Sequence, residues 1–258
     1  MVGDPRAGAQ ESGRRAGSHD LRDALVAFAL ACVLVTALSA IGRSVGFVHR
    51  NLGALYAVVF LYLPFFHARR RGEDMVAYGF RAAPLRRGLA FGLGVPLILF
   101  PLFAAAFVLF NEVVCRPGQA AWLRHLVPPA ACPGWRGWGG MHAPHIGLDL
   151  LEDAFVQVVV IALPEELFFR GFLHELLERA IPPGRRLLGG GIGWALILSS
   201  ALFALAHLPD GLDPRRLSVF FPGLLFGWMR SATGSVLAGT MTHAASNLFI
   251  RLLERMFF

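Results

Sequence analysis

Ile161-Ala162-Leu163-Pro164-Glu165-Glu166-Leu167-Phe168-Phe169-Arg170 sets two adjacent carboxylates and a guanidinium inside an otherwise apolar run. The run starts near Leu148 and continues as an amphipathic stretch to about Ala180, where Pro182, Pro183 and Gly184 end it. On a helix Glu166 and Arg170, four residues apart, share a face, so the guanidinium pairs with the carboxylate and eases the burial of both. Glu165 points about 100° away. One carboxylate is thereby neutralised and its neighbour is left free, as a general base requires.

The composition around this run fixes its surroundings. Of 258 residues, 55% are hydrophobic and 16% charged, with a mean hydropathy of +0.56, too apolar for a soluble domain of this size. Segments approaching the roughly 20 apolar residues that cross a bilayer recur along the chain. Before the quoted run they are Leu21 to Ile41, Leu52 to His67 with Pro64 near its end, and Gly88 to Phe110, which Pro96 and Pro101 are expected to kink. The run from Leu148 is the fourth, followed by Gly191 to His207, Leu217 to Met229 and Ser235 to Leu253. The expected fold is all-α, a polytopic transmembrane bundle of about seven or eight helices. Residues 1–20, polar and rich in Gly and Arg, read as a disordered tail that lacks the apolar core of a signal peptide. Residues 21–258 read as a single bundle without internal repeats, with its chemistry in residues 148–253.

Every one of the 24 basic residues is Arg, giving a formal net charge of +7 and a pI near 10.5. The arginines flank the apolar runs and are densest at Arg69, Arg70, Arg71, Arg81, Arg86 and Arg87. This is a topology signal, and no nucleic-acid partner is inferred from it. It places the amino terminus and the loop 68–87 in the cytoplasm. The loop 111–147, with Trp122, Trp135 and Trp138 as interfacial aromatics, then lies outside. The absence of Lys points to a GC-rich bacterial genome, hence to a bacterial inner (plasma) membrane. Three cysteines give neither a disulfide scaffold nor a metal-binding spacing. Cys32 reads as a packing residue, whereas Cys115 and Cys132 share the outer loop and can pair if it faces an oxidising compartment. Alternating spans would put Glu165 and His207 toward opposite ends of their helices, so a shared site requires mid-depth residues on tilted helices or one re-entrant segment.

Ionisable groups inside spans are expensive and face a bundle interior or an aqueous cavity, which makes each a functional candidate. Two further places qualify: His207, closing Phe203-Ala204-Leu205-Ala206-His207, and the pair His243 and Asn247 in Thr242-His243-Ala244-Ala245-Ser246-Asn247. His243 and Asn247 present an imidazole and an amide on one helix face, both able to donate to a developing oxyanion. His207 would complete a carboxylate–imidazole pair around a water. Taken singly, a Glu-Arg pair also serves as a clamp, and an intramembrane His or Asn as interhelical glue. Gathered in three late segments, they read as one shared polar site.

Glu165-Glu166-x-x-x-Arg170, Phe203-x-x-x-His207 and His243-x-x-x-Asn247, in this order and each on a hydrophobic segment, resemble the motifs of the CPBP (ABI) family, which includes the type II CAAX prenyl endopeptidases and many bacterial glutamic-type intramembrane proteases. The resemblance covers roughly Leu148 to Leu253. It implies that Glu165 and His207 activate a water, that His243 and Asn247 donate to the oxyanion, and that Glu166 and Arg170 support the site. It implies no cofactor. An older metalloprotease reading would make Glu165, His207 and His243 zinc ligands, a sufficient set for a catalytic zinc, although HExxH is absent. The implied partner is a membrane-associated protein or peptide substrate within the lipid bilayer, cut during maturation or processing of a carboxy-terminal anchor. Two other classes compete: a non-catalytic module such as a bacteriocin self-immunity or scaffold protein, and a transporter with midplane acids, against which stand the few spans and the lack of an inverted repeat. Nothing in the sequence selects the substrate or the oligomeric state.

Overall fold

Long runs of Leu, Ala, Val and Phe form helices in an apolar medium because each backbone N–H and C=O must find its partner within the segment. In the computed structural model, which describes residues 5–115, 132, 134–144, 147–208 and 214–258 (side chains of 5–16 and 214–215 excepted), eight helices carry nearly all the regular structure. They begin with α1 (Pro5–Gly42), the short α2 (Gly46–Arg50), α3 (Leu52–Arg71) and α4 (Leu85–Val114). α1, α3 and α4 are each long and apolar enough to cross a membrane. Their outward faces leave large apolar side chains such as Val33, Leu97, Ile98 and Leu109 exposed, as lipid-facing surfaces do. The chain is an integral membrane protein. α1 begins well inside the stretch expected to be a disordered tail; Asp20 near the start of its apolar part is buried and bonded to Arg71 at the end of α3, with Asp23 2.7 Å from the same guanidinium.

Residues 148–180 form one helix, α5, whose winding changes along its length. α-turns at Leu148–Phe155, Leu163–Glu166 and His174–Ala180 alternate with π-turns at Val156–Ala162 and Leu167–Leu173. Pro164 has no N–H and cannot donate to the preceding turn, which is where the first π stretch lies. Such stretches are rare and concentrate at functional sites.

The fifth segment differs from expectation at its start. Arg185–Leu187 (β1) and Gly190–Ile192 (β2) pair as an antiparallel hairpin, turning on Leu188 (φ 48°) and Gly189 (φ 85°), the positive-φ pair that a tight hairpin requires. α6 (Trp194–Ala206, 13 residues) and α7 (Phe220–Thr233, 14 residues) follow, then α8 (Leu237–Phe257). α6 and α7 each rise only about 20 Å, short of the roughly 30 Å of a hydrocarbon core. The start of α6 and the end of α7 lie at the same end of the bundle, where Trp228 donates to Leu187 O and Ser231 accepts from Gly191 N–H, both at 2.9 Å. α6 and α7 therefore lie antiparallel, and the 3-10 helix Pro214–Val219 leads directly into α7.

Small residues let α7 lie close against α5. Gly223, Gly227 and Ser231 face Arg170, His174 and Glu178 rung by rung: a Cβ on Gly223 would lie 3.4 Å from Arg170, one on Gly227 would lie 3.3 Å from His174, and Ser231 donates to Glu178 at 2.9 Å. This is the small-xxx-small spacing of membrane helix contacts. The end of α5 is tied further by Arg230 to Glu175 at 2.9 Å and by Arg179 to Glu175 at 3.1 Å and Glu73 at 3.0 Å. Burial works against the charge on Glu73 in the loop after α3, yet the hydrogen bond and charge of Arg179 hold its carboxyl below the ordinary range. At the opposite end Cys115 and Cys132 form a disulfide, a pairing the sequence left conditional, and Trp135 stacks on Phe257 at 5.1 Å. Trp122 lies outside the described residues.

The core centres on Phe168, Phe169, Phe172, Leu173, Leu176 and Leu177 of α5, packed against Phe60 of α3 and Tyr78. Gly171 sits in this core with the Tyr78 carbonyl oxygen where a Cβ would go. Gly171→Ala is therefore expected to destabilise the protein by about 1–3 kcal/mol through overpacking against backbone, read as a lowered Tm in detergent. Gly94→Ala, whose Cβ would meet open space, is the control and should leave Tm unchanged.

Candidate active site

Glu166 is fully buried on the turn that separates the two π stretches. Its Oε1 lies 3.1 Å from Arg170 Nη1 and 3.0 Å from His243 Nδ1, and Oε2 lies against Gly239, where a Cβ would stand 2.8 Å away. The Glu-Arg pairing was anticipated; the imidazole on the same oxygen was not. Arg170, 2% exposed, rests over the Phe203 ring at 3.8 Å and near Phe226 at 5.4 Å, so aromatic faces supply the attraction that further carboxylates would otherwise provide.

Glu165 is the accessible carboxylate of the two, its side chain 19% exposed against 1% for Glu166. Its Oε2 lies 3.9 Å from Nε2 of His243. The imidazole thus spans both acids, and Phe226 stacks on it at 5.4 Å. Two carboxylates meet one guanidinium and one imidazole, and the cluster carries no excess charge when the imidazole holds both its protons. A partly open carboxylate beside a fixed imidazole is the arrangement that can orient and deprotonate a water.

His207, at the end of α6, hydrogen-bonds through Nδ1 to Phe203 O at 2.8 Å, leaving Nε2 as its outward nitrogen. Its ring touches Phe203 at 4.5 Å, and Phe203 also contacts His243 at 6.3 Å. The imidazole in direct reach of Glu165 is His243; for His207 the sequence reading expected a pair with Glu165 across a water, and among the described residues its ring nitrogen contact is to Phe203 O. Asn247, one turn beyond His243 on α8, donates from Nδ2 to Oε1 of Gln157 at 2.8 Å. Gln157 is 1% exposed, and sequence reasoning passed over it. The available signal was a lone amide between Val156 and Val158 in the stretch Ala154 to Pro164, which has no other polar side chain.

An apolar groove of about 340 Å³ opens between α4, α7 and α8, lined by Phe100, Phe103, Phe221 and Phe249 and reaching Phe226, which stacks on His243. It is suited to an apolar chain. Among the described residues no three His, Cys, Asp or Glu side chains gather closely enough to hold a metal ion. Glu165, His207 and His243 are therefore not arranged as a zinc ligand set.

Residues 147–249 match the family model described as type II CAAX prenyl endopeptidase Rce1-like. The match runs from the start of α5 into α8 and includes Glu165, Glu166, Arg170, His207, His243 and Asn247. No curated protein and no solved structure matches the chain.

Proposed function

We propose, from the match of residues 147–249 to the model of the Rce1-like type II CAAX prenyl endopeptidases, a family of intramembrane proteases, that this protein is an intramembrane endopeptidase of the glutamic type. Glu165 takes a proton from a water held between it and His207, the water attacks the peptide carbonyl, and the same carboxyl returns the proton to the leaving amine. His243 and Asn247 donate to the oxyanion. Glu166 and Arg170 hold His243 and balance the charge of the site. The reading rests above all on one observation: the His243 imidazole, on α8, lies 3.0 Å from Glu166 and 3.9 Å from Glu165, both on α5.

The substrate is a membrane-associated protein, cut during maturation or removal of a carboxy-terminal anchor, and the groove beside Phe226 receives its apolar part. The enzyme works in a bacterial inner membrane with its amino terminus in the cytoplasm. Comparing the termini of membrane proteins in cells carrying the wild-type or the Glu165→Ala chain tests this. A set of termini present only with wild type is expected; identical sets would favour a non-catalytic role such as self-immunity or scaffolding.

A further inference from the structure

Building on the protease reading, we propose that Gln157 is a positioning residue that aims the Asn247 amide at the oxyanion. A side-chain amide carries two N–H donors and one acceptor, and its terminal torsion is broad. Gln157 Oε1 takes one Nδ2 hydrogen of Asn247 at 2.8 Å. That bond fixes the amide plane and leaves the second N–H a single direction. Donors stabilise a developing oxyanion best when they are already aimed and need not rotate during the reaction.

The place of this contact in the fold assigns it to the site. α5 and α8 run antiparallel, and their polar contacts advance four residues at a time on each helix: Asp149 with Arg255, Asp153 with Arg251, then Gln157 with Asn247. The first two are ion pairs with partly exposed side chains at the end of the bundle. Gln157 is buried, and the next turn of α8 beyond Asn247 carries His243. Gln157 and Glu165, eight residues apart, would stand about 80° apart on a regular α-helix. Gln157 lies in the π stretch Val156–Ala162, whose i→i+5 winding holds more residues per turn. Both side chains accordingly reach α8, at Asn247 and at His243. Burying an amide is unfavourable unless it is bonded, and an apolar residue would join the helices equally well.

The test uses purified protein in liposomes and a quenched fluorescent peptide spanning a cleavage site found by the comparison of wild-type and Glu165→Ala cells. Gln157→Leu is expected to lower kcat roughly 10- to 100-fold, the scale of a misplaced catalytic group, with KM within about twofold. Gln157→Glu, which keeps an acceptor oxygen at the same reach, should recover most of that loss. In an Asn247→Ala background Gln157→Leu should cause no further loss, because it acts through Asn247. Gln157→Met carries the same comparison should the leucine variant fail to insert. A lowered Tm with wild-type kcat per folded molecule, or losses that multiply in the double variant, would overturn the assignment and leave the protease reading standing. Cleavage that persists in Glu165→Ala would overturn the protease reading itself.

Discussion

Replacing Glu165 by Gln is expected to lower kcat by about 100- to 10,000-fold, the range for loss of a general base, while leaving Tm near that of wild type. The two neighbouring acids are chemically identical and are separated by their surroundings. Glu166 is fully buried and engaged by Arg170 and His243, so its charge serves the structure. Glu165 keeps a partly exposed side chain and one distant imidazole at 3.9 Å. An amide in its place has the same shape and no basic oxygen, so folding is spared and chemistry is not. Cleavage of the quenched peptide, normalised to folded protein, is the measurement. A Glu165→Gln protein that cleaves at the wild-type rate would place the base elsewhere.

The legible part of the site was the part written at helical spacing. Glu166 and Arg170 lie four residues apart on one turn and meet at 3.1 Å, and His243 and Asn247 follow the same rule on α8. What stayed hidden depends on winding and on contacts between helices. Gln157 is out of phase with Glu165 on a regular α-helix, so periodicity could not join them, and only the π stretch at Val156–Ala162 brings both to α8. Gly191-Ile192-Gly193 reads as the start of an apolar span by composition, yet Gly191 and Ile192 belong to the hairpin strand Gly190–Ile192, and Gly191 and Gly193 lie against Pro183. The last span was expected to stop near Leu253; α8 runs to Phe257, and Asp149 and Asp153 on α5 pair with Arg251 and Arg255 over its last turns. α6 and α7 were read as apolar segments of similar reach, and they are only 13 and 14 residues long, α7 being preceded by the 3-10 helix Pro214–Val219, which periodicity did not separate from it.

Arg170→Met should produce the largest loss of stability, about 3–5 kcal/mol, because it leaves the Glu166 charge buried without its guanidinium. His243 remains on the same oxygen, but it must then balance both carboxylates. The Phe203 face under the guanidinium loses its cation as well, a further contribution of up to about 2 kcal/mol in a desolvated setting. Methionine is close in length and apolar, so packing between Gly223 and Phe203 is largely kept and the loss isolates the charge. The double variant Glu166→Leu with Arg170→Met removes both charges, and most of the lost Tm should return, since an apolar replacement of a whole buried pair is often neutral or stabilising. Activity should not return with it. Without Glu166 nothing holds His243 Nδ1, and the imidazole facing Glu165 loses its orientation. Thermal unfolding in detergent and peptide cleavage, measured on the same preparations, separate these two effects. Recovery of both together would mean that the buried pair serves the fold alone and that His243 is positioned by its packing on Phe226.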